Sequence, residues 1–204
     1  MLILGLTGTF SSGKGEVGKY LVQKGFTYYS CSDELRKEAK KLGLPETREN
    51  LGIVIGDRLR REFGKGVLAK RIYEQILKEK KEFAVVDSLR NIEEVNELRK
   101  SKNFYLIFID APIELRYKRA LGRKRITDKE SLEDFKKTEE KETKGENTLM
   151  KMENCFKEAD FKIINDGILN ELHKKIDDIL EKVDHGNFWP WVYKPPDLEV
   201  LKES

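Results

Sequence analysis

Residues 8 to 15 read Gly8-Thr9-Phe10-Ser11-Ser12-Gly13-Lys14-Gly15, and this octet decides the fold. It follows the apolar run 2–6 and precedes a segment with helical spacing. A glycine-rich turn between a buried strand and a helix directs backbone amides into one concave space, where the helix N-terminus and a lysine add positive charge. The spacing Gly8-x4-Gly13-Lys14 is that of a P-loop, so it predicts a site for the phosphates of a nucleotide.

The flanking residues favour this register of the motif over a second one. Gly13-x4-Gly18-Lys19 has the same spacing, but it lies inside a helical pattern with no strand before it. The first register lacks the usual Ser or Thr after the lysine, because Gly15 and Glu16 follow Lys14. The residues predicted to bind ATP phosphates are Gly8, Ser11, Ser12, Gly13, Lys14, Gly15 and Glu16.

Composition is that of one enzyme-sized domain. The chain has 204 residues and a net charge of +3, although 38% of its residues are charged. The near balance of charge argues against a dedicated nucleic-acid binder. Cys31 and Cys155 form no CxxC pair, and His173 and His185 stand far apart, which argues against a zinc site. No run reaches the length of a membrane span, so we expect a cytoplasmic protein.

Short apolar runs alternate with charged helical segments along the chain. Such alternation predicts an α/β fold of three layers, with a parallel sheet covered on both faces by helices. We expect helix termini at Gly25 and at Ser131, and a last helix over 169–183. The predicted strands of the five-stranded sheet are 2–6, 26–29, 83–86, 104–109 and 161–164.

Residues 1–183 are predicted to form one P-loop domain, with two helical excursions. Residues 34–80 follow the second strand, and residues 116–158 form a second stretch rich in Lys, Arg and Glu. The tail 184–204 changes character, with two Trp and several Pro residues. We expect its aromatic side chains either to pack onto the body or to dock a protein partner through residues 187–204.

Two arginines are candidates for binding an acceptor phosphate. Arg36 follows Asp33 by one helical turn, just after the second strand, and Arg90 follows the third strand. Ligands of open α/β sheets bind beyond the carboxyl ends of the strands, and the planar guanidinium fork suits phosphate. A surface Asp33–Arg36 pair is the competing interpretation.

Asp87 ends an apolar strand, as a Walker-B carboxylate does. It is predicted to order Mg²⁺ through water, with a helix cap as the competing interpretation. Further along, Arg116, Arg119 and Arg123 share one helical face, and Arg125 follows them. Arginines that close over bound phosphates neutralise the charge that develops during transfer, although a solvated basic face has the same spacing.

The order of these motifs resembles that of adenylate-kinase-like nucleoside monophosphate kinases. Residues 33–36 match that family's Asp-x-Leu-Arg, 87–90 look like a shorter Asp-Gly-Phe-Pro-Arg, and 119–123 match its Arg-x-x-Gly-Arg. The resemblance implies that residues 34–80 form the acceptor-binding region and residues 116–158 the lid region, with Asp33, Arg36 and Arg90 at the acceptor. It also implies that Arg119 faces the ATP base and phosphates, and that Arg123 bridges the two nucleotides.

A later segment is similar to dephospho-CoA kinases of the same superfamily. Residues 159–167 match their Ala-Asp-x-x-Ile-x-Asn-x-Gly, which places Asn165 beside the adenine together with Arg119. The likeness covers about residues 1–183. The chain departs from the pattern at Ser11 and Glu16, where the family has Gly and Thr. It also offers lysines where the family has arginines after the lid, namely Lys136, Lys137, Lys141 and Lys144.

Three functions are compatible with these patterns. The first is ATP-dependent phosphoryl transfer to a nucleoside or deoxynucleoside monophosphate with Mg²⁺, in which Lys14, Asp87, Arg119 and Arg123 are the catalytic residues. The second is dephospho-CoA kinase, whose hydroxyl acceptor needs a base, for which Asp33 is the candidate. The third is a nucleotide-binding regulatory module with weak catalysis, because similar kinase-like domains precede deoxycytidylate deaminases and some read Gly-Lys-Gly-Glu.

Overall fold

The computed structural model describes residues 1–47, 50–123, 131–144 and 152–183. Five strands form one parallel sheet in the order β2-β3-β1-β4-β5. The strands are β1 (Leu2–Gly8), β2 (Thr27–Ser30), β3 (Phe83–Asp87), β4 (Phe104–Asp110) and β5 (Phe161–Ile164).

Helical segments connect the strands and cover both faces of the sheet. In the first half of the chain they are α1 (Lys14–Gln23), α2 (Cys31–Leu42), a π-helical segment (Asn50–Asp57), α3 (Arg58–Phe63) and α4 (Val67–Lys78). In the second half they are α5 (Ile92–Leu98), α6 (Ile113–Gly122), α7 (Leu132–Lys144), α8 (Met152–Lys157) and α9 (Leu169–Val183).

Alternation along the central strand β1 separates two hydrophobic cores. Leu2, Leu4 and Leu6 pack with residues of α1 and α9 on one face, whereas Ile3 packs with residues of α2, α3, α4 and α5 on the other. Because successive side chains of a strand point to opposite faces, an almost continuous apolar strand is stable only between two covering layers. The predicted three-layer α/β architecture is therefore confirmed.

The sequence located all five strands to within two residues at each end. The strand 161–164 is found as predicted, while 26–29 is shifted by one residue to Thr27–Ser30. The other three strands begin where predicted and extend one or two residues further, to end at the polar or glycine residues Gly8, Asp87 and Asp110. The helix over 169–183 is also found.

Both predicted helical excursions contain helices. The assignment of residues 34–80 to acceptor binding and of residues 116–158 to a lid stays a prediction. The range 34–80 holds most of α2, the π-helical segment, α3 and α4. The range 116–158 includes α8, whose Met152 and Cys155 are buried, and Cys155 belongs to the core cluster on the α2 side of the sheet. The last part of that range therefore covers the sheet. Residues 184–204 lie outside the described chain.

The position of β1 determines where a ligand can enter. β1 lies between β3 and β4, so the chain places β2 and β3 on one side of β1 and then β4 and β5 on the other. A crevice forms beyond the carboxyl ends of the strands at such a switch in strand order. The P-loop follows β1 directly and lies at this crevice. Among the described helices, none combines the length and apolar character that crossing a membrane requires.

We expect substitution by alanine to have opposite effects on stability at two glycines of the loop. Gly8 has a φ of 133°, and a Cβ built there would collide with the carbonyl oxygen of Ile109 on β4. We expect Gly8→Ala to lower the free energy of unfolding by about 3 kcal/mol or more, because it adds backbone strain to a backbone clash. A Cβ built on Gly15 would meet no atom of the described chain within 4 Å beyond its own helix. Gly15→Ala should therefore raise stability by up to about 0.5 kcal/mol through a lower entropy of the unfolded chain.

Urea denaturation of both variants, followed by circular dichroism, measures this difference. Equal destabilisation by the two substitutions would contradict it.

Candidate phosphate-binding and acceptor site

The loop between β1 and α1 curls around the amine of Lys14. Gly13 precedes α1 with a φ of 110°, and Ser11 has a φ of 59°, in the left-handed region where the resembling family has glycine. Lys14 Nζ donates to the carbonyl oxygens of Gly8 and Thr9, each at 2.7 Å. The ammonium group therefore lies inside the loop, where the P-loop pattern places it.

The ends of β4 and β5 hold this loop. Thr9 Oγ1 donates to Asp110 Oδ1 at 2.6 Å, and Asn165 Nδ2 donates to the carbonyl oxygen of Ser12 at 2.7 Å. The backbone amide of Asn165 in turn donates to the carbonyl oxygen of Asp110 at 2.7 Å. These contacts join three neighbouring strand ends, and they fix the main chain on which phosphate binding would depend.

Two serine hydroxyls of the loop are buried without a described partner. Ser11 and Ser12 are 7% and 0% exposed, and within the described chain neither Oγ atom makes a hydrogen bond. A buried hydroxyl left without a partner costs free energy, so a water, an ion or a ligand is needed to supply the partner. Both serines line the cavity described below.

Asp87 lies at the end of β3 with both carboxylate oxygens engaged. Oδ2 accepts from the hydroxyl of Tyr28 at 2.8 Å, and Oδ1 accepts from the amide of Ser88 at 2.5 Å. Burial, and then the charge of Asp87, raise the pKa of Tyr28, so the phenol stays protonated and donates. Ser88 has a φ of 66°, which turns the chain sharply after the strand.

These oxygen atoms fit a hydrated magnesium ion. Mg²⁺ prefers oxygen ligands, keeps several waters and is commonly held by one or two carboxylates together with substrate phosphates. Asp87 has further lone pairs for water, and the Ser11 and Ser12 hydroxyls are orphaned oxygens at the loop. Gly15 and Glu16 supply no hydroxyl. The donor set therefore suits an ion bound by water and phosphate oxygens.

The acceptor candidates Arg36 and Arg90 line the same cavity as Lys14. Arg36 Nη1 is 2.6 Å from Asp33 Oδ1, and its Nε is 3.3 Å from Glu46 Oε2. Asp33 and Arg36 are both about half exposed and form an ion pair, which agrees in part with the competing interpretation of a surface pair. The pair also orients Arg36, because two carboxylates hold the guanidinium at the cavity wall.

The predicted lid arginines have different surroundings. Arg119 Nη1 donates to the carbonyl oxygen of Asn165 at 3.2 Å, so these two predicted adenine-proximal residues are in contact. Burial, and then the charge of Arg123, lower the pKa of Arg119. Arg123 Nη2 is 3.0 Å from Glu16 Oε1. The carboxylate of Glu16 thus meets a cation rather than the phosphate loop.

Arg116 has a structural role that its spacing did not indicate. It is 4% exposed and forms a bidentate pair with Glu139 of α7, with Nη2 at 2.8 Å from Oε2. Its Nε donates to the carbonyl oxygen of Ala111 at 2.7 Å. Arg116 therefore anchors α7 beside the P-loop. Arg125, the side chains of Lys141 and Lys144, and His185 lie outside the described part of the chain.

One cavity of about 450 Å³ is lined both by the P-loop and by the candidate acceptor arginines. Its lining combines the loop Gly13-Lys14-Gly15 with Asp87, Arg36, Arg90 and Arg123. Three residues of this site were not identified from the sequence. Tyr28 and Arg60 line the cavity, and Asp110 holds the loop through Thr9. Asp110 carried a usable signal as a carboxylate that ends a strand beside the loop. Arg60 carried none, since it stands among many charged residues of one helical stretch.

The parallel sheet, the loop and the cavity define a P-loop kinase fold, and solved structures agree. A shikimate kinase from Acinetobacter baumannii superposes with a TM-score of 0.57 and 15% identity, covering 91% of this chain and 96% of that one. A shikimate kinase from Aquifex aeolicus gives 0.55 and 22% identity, covering 89% and 97%. At these identities the likeness concerns the fold alone.

Sequence relatives identify the family. A family model described as an AAA domain matches residues 4–145. A UPF0200 protein of Sulfurisphaera tokodaii is 34% identical over 182 residues, covering 89% of this chain and 97% of the relative. A UPF0200 protein of Thermococcus gammatolerans is 32% identical over 191 residues, covering 91% and 97%. The chain belongs to the UPF0200 family of proteins with a P-loop domain of this AAA type.

The buried ion pair of Arg116 predicts a large effect on stability. Arg116→Met leaves the carboxylate of Glu139 without its counter-ion, so we expect a loss of about 3–5 kcal/mol in the free energy of unfolding. Lys118→Met on the exposed side of the same helix is the matched control and should change stability by less than about 0.5 kcal/mol. Chemical denaturation of both variants tests this, and equal midpoints would contradict the structural role of Arg116.

Proposed function

We propose that the protein is a kinase that transfers the γ-phosphoryl group of ATP to a nucleoside or deoxynucleoside monophosphate. The observation that carries the proposal is the shared cavity, in which Lys14 of the P-loop and the arginines Arg36 and Arg90 line one space. A donor polyphosphate and an anionic acceptor each need cationic partners, and in-line transfer needs both in one water-excluding site.

The donor site is the loop and its lysine. Backbone amides and the N-terminus of α1 suit the β- and γ-phosphates of ATP. Lys14 Nζ, which lies against the carbonyl oxygens of Gly8 and Thr9, would turn to the β- and γ-oxygens. Mg²⁺, held through water by Asp87 and by ATP oxygens, would supply charge neutralisation on the phosphates. Arg119 and Asn165, in contact with each other beside the loop, would border the adenine.

The acceptor site is formed by Arg36 and Arg90. Their guanidinium groups would hold the monophosphate so that one of its oxygens attacks the γ-phosphorus. The bond from phosphorus to the β–γ bridging oxygen breaks, which leaves ADP and a nucleoside diphosphate. No base is required, since the acceptor phosphate is already an anion. Asp33 pairs with Arg36 at 2.6 Å, which supports a positioning role for Asp33.

Closure of the arginines over the γ-phosphate completes the site. Arg123 would leave Glu16 Oε1, which lies 3.0 Å away, and bind the transferring group. An exposed ion pair is weak, so phosphate oxygens compete with it easily. Removal of water from the closed site would limit hydrolysis of ATP.

Turnover assays test the activity directly. The full chain, Mg-ATP and a panel of ribo- and deoxynucleoside monophosphates plus dephospho-CoA are incubated, and the products are separated by chromatography. We expect a nucleoside diphosphate and ADP in equal amounts, and a loss of at least about 100-fold in kcat with Lys14→Ala because transition-state charge loses its cation. Turnover equal to that of Lys14→Ala on every monophosphate would overturn the proposal. Phosphorylation of dephospho-CoA, or tight ATP or dNTP binding without turnover, would favour the two other functions.

Substitution of the acceptor arginines separates the two halves of the site. Arg36→Lys and Arg90→Lys should raise KM for the acceptor by roughly 10-fold or more while KM for ATP changes little, because lysine keeps the charge and loses the bidentate fork. Lys37→Arg, next to Arg36 and outside the cavity lining, is the matched control. A rise in KM for ATP of the same size would contradict the assignment of these residues to the acceptor.

A further inference from the structure

Three charged side chains are buried together beneath the acceptor half of the cavity. Asp57, Arg60 and Glu94 are 3%, 3% and 0% exposed. Arg60 Nη2 donates to Glu94 Oε1 at 3.0 Å, and Arg60 Nη1 is 3.8 Å from Asp57 Oδ1. Burial of charge is costly unless the groups are paired and fully hydrogen-bonded, so the hydrogen bonds of each member matter.

The hydrogen bonds of Glu94 are complete, whereas those of Arg60 are not. Glu94 Oε2 accepts from the amide of Arg90 at 2.8 Å, so both carboxylate oxygens are used. Two of the three guanidinium nitrogens of Arg60, Nε and Nη1, have no hydrogen-bond partner within the described chain. Buried donors left in this way are expensive, so a water, an ion or a ligand is needed to complete their bonding.

Arg60 lines the cavity beside apolar residues. The lining there includes the apolar residues Leu35 and Leu51 together with Gly52. A Cβ built on Gly56 would lie 2.8 Å from Arg60 Nη1 and 3.7 Å from Leu35 Cδ2, which shows that Arg60 and Leu35 meet at this point. Arg36 and Arg90 line the same cavity, so one acceptor molecule can reach both groups of residues.

We propose that Arg60 recognises the base of the acceptor nucleotide by donating hydrogen bonds to a carbonyl oxygen of the ring. This inference rests on the proposed function, since it assumes a monophosphate held by Arg36 and Arg90. It narrows the acceptor to nucleotides with an oxo-bearing base, namely guanine, cytosine, uracil or thymine. Adenine has no carbonyl oxygen, and its acceptors are ring nitrogens. Where guanine carries O6, adenine carries an amino group, a donor that would face the donors of Arg60.

The discrimination follows from the cost of an unfilled site. A pocket that offers buried donors rejects an analogue without the acceptor atom, since the donors then stay unsatisfied. The side chain of Arg60 has five N–H donors and no acceptor atom, so only an acceptor from another molecule can satisfy the unpaired donors. Glu94 keeps the guanidinium in place, so the selection depends on a positioned group rather than on a mobile surface arginine.

Calorimetric titration of the full chain with AMP, GMP, CMP and UMP tests the proposal. The wild type should bind at least one of GMP, CMP and UMP at least about 10-fold more tightly than AMP, the factor that one charged hydrogen bond supplies. Arg60→Lys keeps the charge beside Glu94 and Asp57 but removes the fork, and it should abolish this preference while ATP affinity stays within about twofold. Arg61→Lys, the exposed neighbour that does not line the cavity, is the matched control.

The outcomes separate this inference from the proposed function. Tighter or equal binding of AMP by the wild type overturns the role of Arg60 and leaves the kinase proposal intact, and this result requires no variant to fold. A preference that persists in a folded Arg60→Lys protein, judged by its melting temperature, also overturns it. If the wild type binds none of the four monophosphates, none of their deoxy forms and not dTMP, both proposals fail.

Discussion

The whole site depends on the attachment of the P-loop to the carboxyl ends of β4 and β5. Thr9 is held by Asp110, and the carbonyl oxygen of Ser12 is held by the side chain of Asn165. A glycine-rich loop has high conformational entropy, so its ability to hold a fixed shape must come from neighbours. Gly8 has its positive φ where β4 approaches most closely, so the loop and the sheet constrain each other.

Two buried arginine–glutamate ion pairs hold helices of the two helical excursions beside the P-loop cavity. Arg116 joins α6 to Glu139 of α7, and Arg60 joins α3 to Glu94 of α5. A buried ion pair contributes little net stability compared with apolar packing, but its loss is costly, so it favours one arrangement over others. In this protein each pair holds a helix beside the cavity, one next to the P-loop and one next to Leu35 of α2.

Exposed ion pairs at the cavity have a different consequence. Arg36 with Asp33 and Arg123 with Glu16 are partly exposed, so phosphate oxygens can replace their partners at small cost. Buried ion pairs beside the cavity and exchangeable cations at its rim suit the phosphoryl transfer that we propose, because reacting groups must be oriented while substrates enter and leave. Buried charges thus hold the walls of the cavity in place, whereas partly exposed charges at the cavity can exchange their partners.

Particular residues of the sequence predicted much of the fold but less of the candidate site. Apolar runs separated by charged helical stretches located β1 to β5 because burial on both faces requires continuous apolar strands. The roles of the arginines could not be read in the same way. Arg116, Arg119 and Arg123 share one spacing, yet Arg116 is buried against Glu139 whereas Arg123 is half exposed beside Glu16.

The amino-acid sequence by itself determined the layers of the fold, the position of the phosphate loop and the lysine within it, because these follow from local periodicity and from a contiguous motif. The tertiary structure alone decided the strand order β2-β3-β1-β4-β5 and the partner of each arginine. It also decided the contact of Asn165 with the loop and the burial of Arg60 against Glu94 at the cavity. Those contacts join residues that are 34 positions apart for Arg60 and Glu94 and 153 apart for Ser12 and Asn165, and local sequence patterns do not encode which distant group a side chain meets.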